Sequence, residues 1–402
     1  MWWFGLVSLA ADMVYEGARS VYGPLLAALG ASAVVVGLVT GAGEAVALVL
    51  RLAFGPLADR TGRYWSLTIL GYGLTAVCVP LLALAPRLGT AGIGFAATLI
   101  LLERLGKAIR SPSKSALLAH VATAVGRGRG FGVHKALDQV GAFAGPLVVA
   151  GVVAGASIWA GMAVLAVPGA IAMLLLQTLR RRVPDPGVYD EAPTAVPVAD
   201  QITPGRRGWW AEAVGAGLSG DFFRYALAAS LTTGALVTFG IIGYHLTVEG
   251  LLPVAAVPLV YAAAMGVEAV AALVVGSVYD RTGTRVLLVV PVLVALVPAL
   301  ALGSALVAVL AGVLAWGVAQ GVQDSTIKAV VADLVEAPRR ATAYGVFAGI
   351  QGLLAIVGGV TAGWLYERSL VALVVVVALT QVAALLLLVD TFRRSARLSR
   401  AG

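Results

Sequence analysis

Apolar stretches of about twenty residues recur from one end of the chain to the other, separated by short segments rich in Gly, Pro and charge. A helix needs about 20 apolar residues to cross the hydrocarbon core of a bilayer, so each stretch predicts a membrane-spanning helix. Hydropathy with this punctuation predicts twelve spans, at residues 4–29, 34–57, 65–85, 91–120, 130–154, 158–180, 222–248, 253–279, 285–302, 304–335, 340–366 and 370–390.

The composition indicates the same class of protein. Of the 402 residues, 60% are hydrophobic and 12% are charged, against about 45–50% and 25% in soluble domains. With a mean hydropathy of +0.95, the chain is predicted to be an integral membrane protein in contact with the lipid bilayer. Its first span contains charges and lacks a basic start, so we expect it to be retained and not cleaved as a signal peptide.

The loop arginines are distributed unevenly. If the N-terminus is cytoplasmic, the outer loops contain only Arg87 and Arg368, and the positive-inside rule favours this orientation. We therefore expect a multi-pass protein of the cytoplasmic (inner) membrane with both termini in the cytoplasm. The basic residues are dispersed among short loops and form no basic tract, so no nucleic-acid partner is expected.

One loop sequence occurs twice. Gly-Pro-Leu-Ala-Asp-Arg-Thr-Gly-Arg follows the second span at residues 55–63, and a weaker copy follows the eighth span at residues 276–285. A long polar stretch at residues 181–220 separates spans six and seven. The chain is thus predicted to contain two six-helix bundles, residues 1–180 and 221–402, joined by a cytoplasmic linker. Two homologous halves are a transporter architecture, because alternating access works by rocking one half against the other.

These loops, with the segments at residues 103–112 and 130–146, resemble the major facilitator superfamily along the whole chain. Within it, the chain is similar to a prokaryotic, drug-efflux-like and largely uncharacterised branch. That branch typically has an acid after the basic residue of helix four, where this chain has Ser115. The resemblance implies an all-α membrane fold with two pseudo-symmetric six-helix bundles around a central cavity, and we expect a monomer.

The leading functional prediction is a secondary active transporter that exports a small amphipathic or anionic molecule in exchange for protons. Uptake by symport, or facilitated diffusion of a metabolite or metal ion, remains an alternative, because direction cannot be read from these residues. A receptor, scaffold or membrane enzyme is less favoured. The chain has no Gly-x-Ser-x-Gly, His-Glu-x-x-His or phosphate-binding Gly-rich motif, so we expect no enzymatic activity, catalytic residue or cofactor.

Charged residues within the spans are the candidate functional residues, because a charge at mid-membrane costs roughly 2.5–3.5 kcal/mol on insertion scales. In the first helix, Asp12, Glu16 and Arg19 are four and three residues apart, on one face that we expect to line the cavity. Either carboxylate could exchange a proton there, with Glu16 slightly preferred. The alternative is that Glu16 and Arg19 only neutralise each other.

The fourth span is predicted to present a polar stripe to a water-filled path, while Arg104 points elsewhere. The stripe consists of Glu103, Lys107, Arg110 and Lys114. The stripe either neutralises acids of neighbouring helices or attracts an anionic group. Glu44 and Glu268 lack a local partner, whereas Asp324 and Lys328 have the spacing of an intrahelical pair. The predicted proton-coupling and substrate cavity therefore consists of Asp12, Glu16, Arg19, Glu44, Glu103, Lys107, Arg110 and Glu268.

A cytoplasmic gate is predicted where His134 and Asp138 of helix five lie at the depth of Lys114. The duplicated loop is expected to latch this side, because its charges can pair with neighbouring helix ends. The predicted gate consists of Asp59, Arg60, Arg63, Lys114, His134, Asp138, Asp280 and Arg281. With a single cysteine and three scattered histidines, no metal site is expected.

Overall fold

The computed structural model describes residues 2–123, 127–184, 218–335 and 339–401. Inside these ranges, the side chains that are not described are those of residues 119–123, 127–131, 276, 280, 325–329, 332–333, 340–341 and 395–401. Most of the predicted linker therefore lies outside the described residues. The same is true of the side chains of Asp280 and Lys328.

The described ranges are helical and contain no strand. Short 3-10 segments at Leu82–Ala91, Val254–Ala256 and Gly283–Leu288 connect some of the helices. In chain order the α-helices are α1 (Trp2–Arg19), α2 (Tyr22–Ala28), α3 (Ala33–Val49), α4 (Arg51–Thr61), α5 (Tyr64–Leu81), α6 (Gly92–Thr123), α7 (Arg127–Gly155), α8 (Ile158–Val164), α9 (Ala166–Arg182), α10 (Gly220–Ala235), α11 (Phe239–Val248), α12 (Val257–Thr282), α13 (Val289–Ala301), α14 (Leu306–Leu334), α15 (Arg340–Arg368) and α16 (Leu370–Ala401).

The all-α membrane architecture is confirmed. Ten helical stretches of the described residues are long and apolar enough to cross a membrane. One of these, Tyr64–Leu118, contains two successive helices, α5 and α6. The pair α1 and α2 is not among the ten, and α1 carries three charged residues. With these two additions, the helices are consistent with the twelve predicted spans.

Some predicted spans consist of two helices in place of one. The first span divides before Tyr22, where Pro24 has no N–H to donate to the carbonyl of Ser20. The seventh divides at Leu236, whose backbone is extended (φ −70°, ψ 112°). Thr238 then starts α11, because its Oγ1 accepts a hydrogen bond from the backbone N–H of Ile241 at 3.4 Å.

In both copies of the duplicated loop, a helix ends before a glycine with a positive φ. α4 ends at Thr61 and α12 ends at Thr282, and the glycine that follows each helix has a φ of +62°. L side chains rarely adopt this left-handed conformation, so the repeated glycine ends the helix at both places.

Helices from the two halves of the sequence meet mainly on one side of the bundle, which we call the far side because α2 ends there. The side on which α1 begins is the termini side. α3 packs against α15, α2 against α11, and α7 against α12 and the Val254–Ala256 segment. Thr40 and Thr238 share a hydrogen bond of 2.9 Å, and the N–H of Val34 donates to Glu367 at 3.4 Å. These contacts close the far side.

Glycines make this close approach possible. A Cβ atom at Gly37 would overlap the carbonyl oxygen of Gly359, and one at Gly23 would overlap that of Gly240. Small residues let helix backbones come together where apolar burial alone provides little driving force within a bilayer. The packing of α3 against α15 therefore depends on the absence of a side chain at Gly37.

We predict that Gly37→Leu separates α3 from α15 and destabilises the protein by about 1–3 kcal/mol, the usual cost of overpacking. Denaturant unfolding in detergent micelles measures this change. Gly151→Leu is the matched control, because nothing lies within 4 Å of a Cβ at Gly151. Equal losses in both variants would contradict the assignment of the α3–α15 contact.

Candidate functional site

A charged cavity of about 320 Å³ lies between the two halves of the sequence. The solvent-exposed fraction of the side chains that line the cavity increases toward the termini side. It is 14% for Glu16 and 73% for Lys135. Since the far side is closed, the cavity is accessible from the termini side. Its charged and amide side chains are Asp12, Glu16, Arg19, Arg51, Lys107, Arg110, Lys114, Lys135, Asp138, Gln139, Glu268, Gln320 and Asp324.

Tyr15 of α1 contacts two cations of α6. Its hydroxyl accepts hydrogen bonds from Arg104 and, at 2.6 Å, from Lys107. The Lys107 ammonium also lies 3.8 Å from the centre of the Tyr15 ring, a cation–π contact that stabilises a charge removed from water. Gly43 leaves room for the Arg104 side chain beside α3. One phenol thus joins α1 to two cations of α6.

A second set of contacts surrounds Arg19. Its Nη2 donates to Glu44 Oε1 at 2.9 Å, and its Nη1 lies 3.9 Å from Glu16 Oε2. Glu44 Oε1 is also 3.7 Å from Arg104 Nη1. Glu16 accepts a further hydrogen bond from the hydroxyl of Tyr261 in α12. Glu16 is therefore held by one residue from each half of the sequence.

A third set contains what we call the aspartate pair, Asp12 of α1 and Asp138 of α7, two acids that line the cavity and interact directly with each other. Asp138 also accepts from Ser8 at 2.5 Å and lies 3.1 Å from Lys135 and 3.9 Å from Lys114.

Two glycines bring the aspartate pair together. Gly141 and Gly145 of α7 leave no space for a Cβ against the backbone of Leu9 and Met13. α1 and α7 therefore approach closely at the depth of Asp12. This spacing of small residues is typical of tightly packed membrane helices.

Several charges of the cavity have no such partner. Arg51, Lys107 and Arg110 form no ion pair within 4.0 Å with any described side chain, although Arg110 donates to Thr75 at 2.6 Å. The Nε of Arg51 is buried without a hydrogen-bond partner among the described groups. On the opposite side, Glu268 and Asp324 likewise form no ion pair with a described residue.

The polar stripe of the fourth predicted span, which is α6, differs from its predicted arrangement. Lys107, Arg110 and Lys114 line the cavity, but Glu103 is completely buried behind it. Glu103 lies 3.5 Å from Arg104 and forms no hydrogen bond with the described residues. Arg104, which we expected to point away from the stripe, reaches Tyr15 beside Lys107. The stripe is therefore shorter than its sequence spacing suggests, because α6 is enclosed by other helices at the depth of Glu103.

The predicted gate residues occupy two places. Lys114 and Asp138 belong to the cavity, and His134 is buried nearby in α7. The loop residues lie apart from them: Asp59 accepts a hydrogen bond from Tyr64 at 3.1 Å. Arg60, Arg63 and Arg281 are exposed. The side chain of Asp280 is outside the described part.

Sequence reasoning did not identify Tyr15, Ser8, Arg51 or Tyr261 as site residues. The sequence did indicate Arg51, because it is a cation within a predicted span, as Arg19 is. Tyr15 and Ser8 lie one turn or less from charged positions of α1. Tyr261 had no signal in the sequence, because only the packing of α12 against the first half brings it to Glu16.

Comparison with known proteins agrees with this architecture. The family model of the Major Facilitator Superfamily matches residues 4–316 and 222–402. An uncharacterized protein of Mycobacterium tuberculosis is 48% identical over 387 residues, which cover 96% of this chain and 91% of that protein.

Solved structures show the same fold. A variant of the nucleoside transporter NupG has a TM-score of 0.76 with 15% identity, covering 97% of this chain and 99% of NupG. A POT family transporter has a TM-score of 0.73 with 13% identity, covering 98% and 96% of the respective chains. The protein is a membrane transporter and not an enzyme. It belongs to the major facilitator superfamily.

We predict that Glu44→Gln lowers the free energy of unfolding by about 1–3 kcal/mol, because Arg19 and Arg104 lose the partly buried carboxylate that they share. Denaturant unfolding in micelles measures the loss. Asp390→Asn is the control, since its pair with Arg394 is exposed and such pairs contribute about 0–1 kcal/mol. A loss at Glu44 no larger than the loss at Asp390 would show that the carboxylate does not hold these arginines.

Proposed function

We propose that this protein is a proton-coupled secondary transporter that exports a small molecule across the cytoplasmic membrane. In this proposal, residues 1–180 and 221–402 are two bundles of one monomer that rock against each other. The termini side faces the cytoplasm, as the arginine distribution favours. The drug-efflux-like sequence pattern supports export as the direction.

The observation that carries the proposal is the aspartate pair within the cavity. Two carboxyl groups can share a hydrogen bond only when one of them holds a proton, because two carboxylates repel each other at that distance. Asp12 and Asp138 therefore form a place where one proton can be bound and released. Lys114 and Lys135 lie beside Asp138 and stabilise the charged form of the pair after the proton leaves.

Asp12 is a better candidate for proton exchange than Glu16. Glu16 has Arg19 as an ionic partner and accepts a hydrogen bond from Tyr261. Both contacts already occupy the Glu16 carboxylate. Asp12 has no cation within 4.0 Å among the described side chains, and its neighbour is another acid.

The positions of contact and cavity support alternating access. The cavity is accessible from the termini side, while glycine-mediated contacts close the far side. Separation of α3 from α15 and of α2 from α11 would expose the same aspartate pair to the far side. A proton bound on one side could then be released on the other.

Symport remains the second candidate, and one observation favours it. Lys114 and Lys135 contact Asp138, so an anionic substrate that drew them away would favour a proton on the pair and travel with it. A metal-ion substrate has no such support: the described residues contain no group of three His, Cys, Asp or Glu side chains placed to hold a metal ion.

We predict that Asp12→Asn abolishes substrate-dependent proton movement. Proteoliposomes containing a pH dye receive a panel of lipophilic cations, zwitterions and anionic metabolites, and the lumen pH is recorded. We expect the wild type to give a pH change whose sign distinguishes antiport from symport. Asp12→Asn should reduce it at least tenfold, and Glu16→Gln should reduce it less.

Two controls accompany this assay. Asp390→Asn changes an exposed carboxylate far from the cavity and should behave as the wild type. Substrate counterflow, which needs no net proton movement, should persist in Asp12→Asn and would show that the variant is folded. Unchanged proton movement in Asp12→Asn, or wild-type substrate flux without any pH change, would refute proton coupling at the pair.

A further inference from the structure

The charges of the cavity are separated by sequence half. Every described cation that lines it comes from the first half, on α1, α4, α6 and α7. Among the described residues, the second half contributes two acids, Glu268 of α12 and Asp324 of α14, together with Gln320. A molecule in the cavity therefore lies between a side with excess positive charge and a side whose described charges are negative.

The acids that the first half contributes to the cavity already contact other protein groups. Glu16 is held by Arg19 and Tyr261, and Asp138 by Lys135, Lys114 and Ser8. Asp12 faces Asp138. None of these acids forms an ion pair within 4.0 Å with the remaining described cations of the cavity.

Three cations are left facing the cavity, Arg51, Lys107 and Arg110. Lys107 and Arg110 bind the neutral oxygens of Tyr15 and Thr75, and the Arg51 Nε has no described partner. An unpaired cation away from bulk water is costly. A carboxylate or phosphate bound here would form charge-assisted hydrogen bonds, which are the strong ones in proteins.

The opposite side of the cavity fits a cation. Glu268 and Asp324 form no ion pair with a described residue, and the Gln320 amide lies on the same side. Carboxylate and amide oxygens accept the hydrogen bonds that an ammonium group donates. Arg51 and Asp324 line the same cavity of about 320 Å³, so one small molecule in it can contact both sides.

We propose that the substrate is a small zwitterion, whose anionic group binds Arg51, Lys107 and Arg110 and whose ammonium group binds Glu268 and Asp324. This inference rests on the proposed transport function and specifies the substrate class of the same cavity. The cavity volume of about 320 Å³ is at the small end of ligand pockets, which fits a molecule of amino-acid or dipeptide size.

The placement of the two charges gives the zwitterion a mechanical role. Its anionic end is held by the first half of the sequence and its ammonium end by the second. A bound zwitterion thus draws the two halves together around the cavity, whereas an ion with one charge contacts only one half. Binding and closure are linked through the same molecule.

Thermal unfolding of the purified protein in detergent tests this assignment without any flux. The probes are the twenty amino acids, a set of dipeptides and 6-aminohexanoate, each beside its N-acetyl form and its C-amide form. We expect at least one zwitterion to raise the unfolding temperature, and both of its blocked forms to bind at least tenfold more weakly. The proposal is overturned if no zwitterion binds or if a blocked form binds as tightly as its parent.

Two variants separate the ends of the molecule. Glu268→Gln should remove the preference for the free amine over the N-acetyl form, and Arg51→Gln should remove the preference for the free carboxylate over the amide. Arg51→Lys should restore the latter in part, which a structural defect would not. Glu249→Gln changes an exposed acid at the far side and should leave both preferences intact.

The outcome is independent of proton coupling. If the liposome assay shows no proton movement but the zwitterion preference persists, proton coupling fails and the substrate class stands. If proton movement follows a substrate with a single charge and no zwitterion binds, the proposed function stands and this inference fails.

Discussion

The rest of the structure depends on one constraint: charges placed within a membrane-spanning bundle must find their partners inside the protein. α1 is where this constraint is met. Tyr15 holds Arg104 and Lys107 of α6, Arg19 holds Glu44 of α3, and Asp12 faces Asp138 of α7. Through these contacts one helix joins three others of the first half.

The second half contributes little to this network and meets the first half differently. At the far side, glycine backbones of α3 and α15 are in direct contact and close the bundle. At the depth of the cavity, the hydroxyl of Tyr261 donates a hydrogen bond to Glu16 and so connects the second half to the first. The closed far side is held by glycine packing and a few hydrogen bonds, whereas the open region is charged. Such an arrangement allows the halves to separate on one side without breaking the ion pairs of the other, since those pairs lie within one half.

Much of the fold was predictable, and the pairing of charges was not. Apolar runs predicted the spans because a bilayer imposes a fixed length on them, and the glycines of the duplicated loop predicted the helix ends at Gly62 and Gly283. Helical spacing alone gave Lys107, Arg110 and Lys114 one face, but it could not show that Glu103 is enclosed or that Arg104 bends to Tyr15. Those contacts depend on which helix lies opposite, and the glycines that decide it, such as Gly43 and Gly141, carry no charge signal.

Distance measurements between spin labels test alternating access most directly. In a Cys78→Ala background, one pair of labels at Thr90 and Glu249 reports the far side, and another at Thr61 and Thr282 reports the termini side; all four positions are exposed. The account predicts that acidification or bound substrate lengthens the first distance while it shortens the second. If both distances change in the same direction, or neither changes under any condition, the two halves do not rock about the cavity and the account is contradicted.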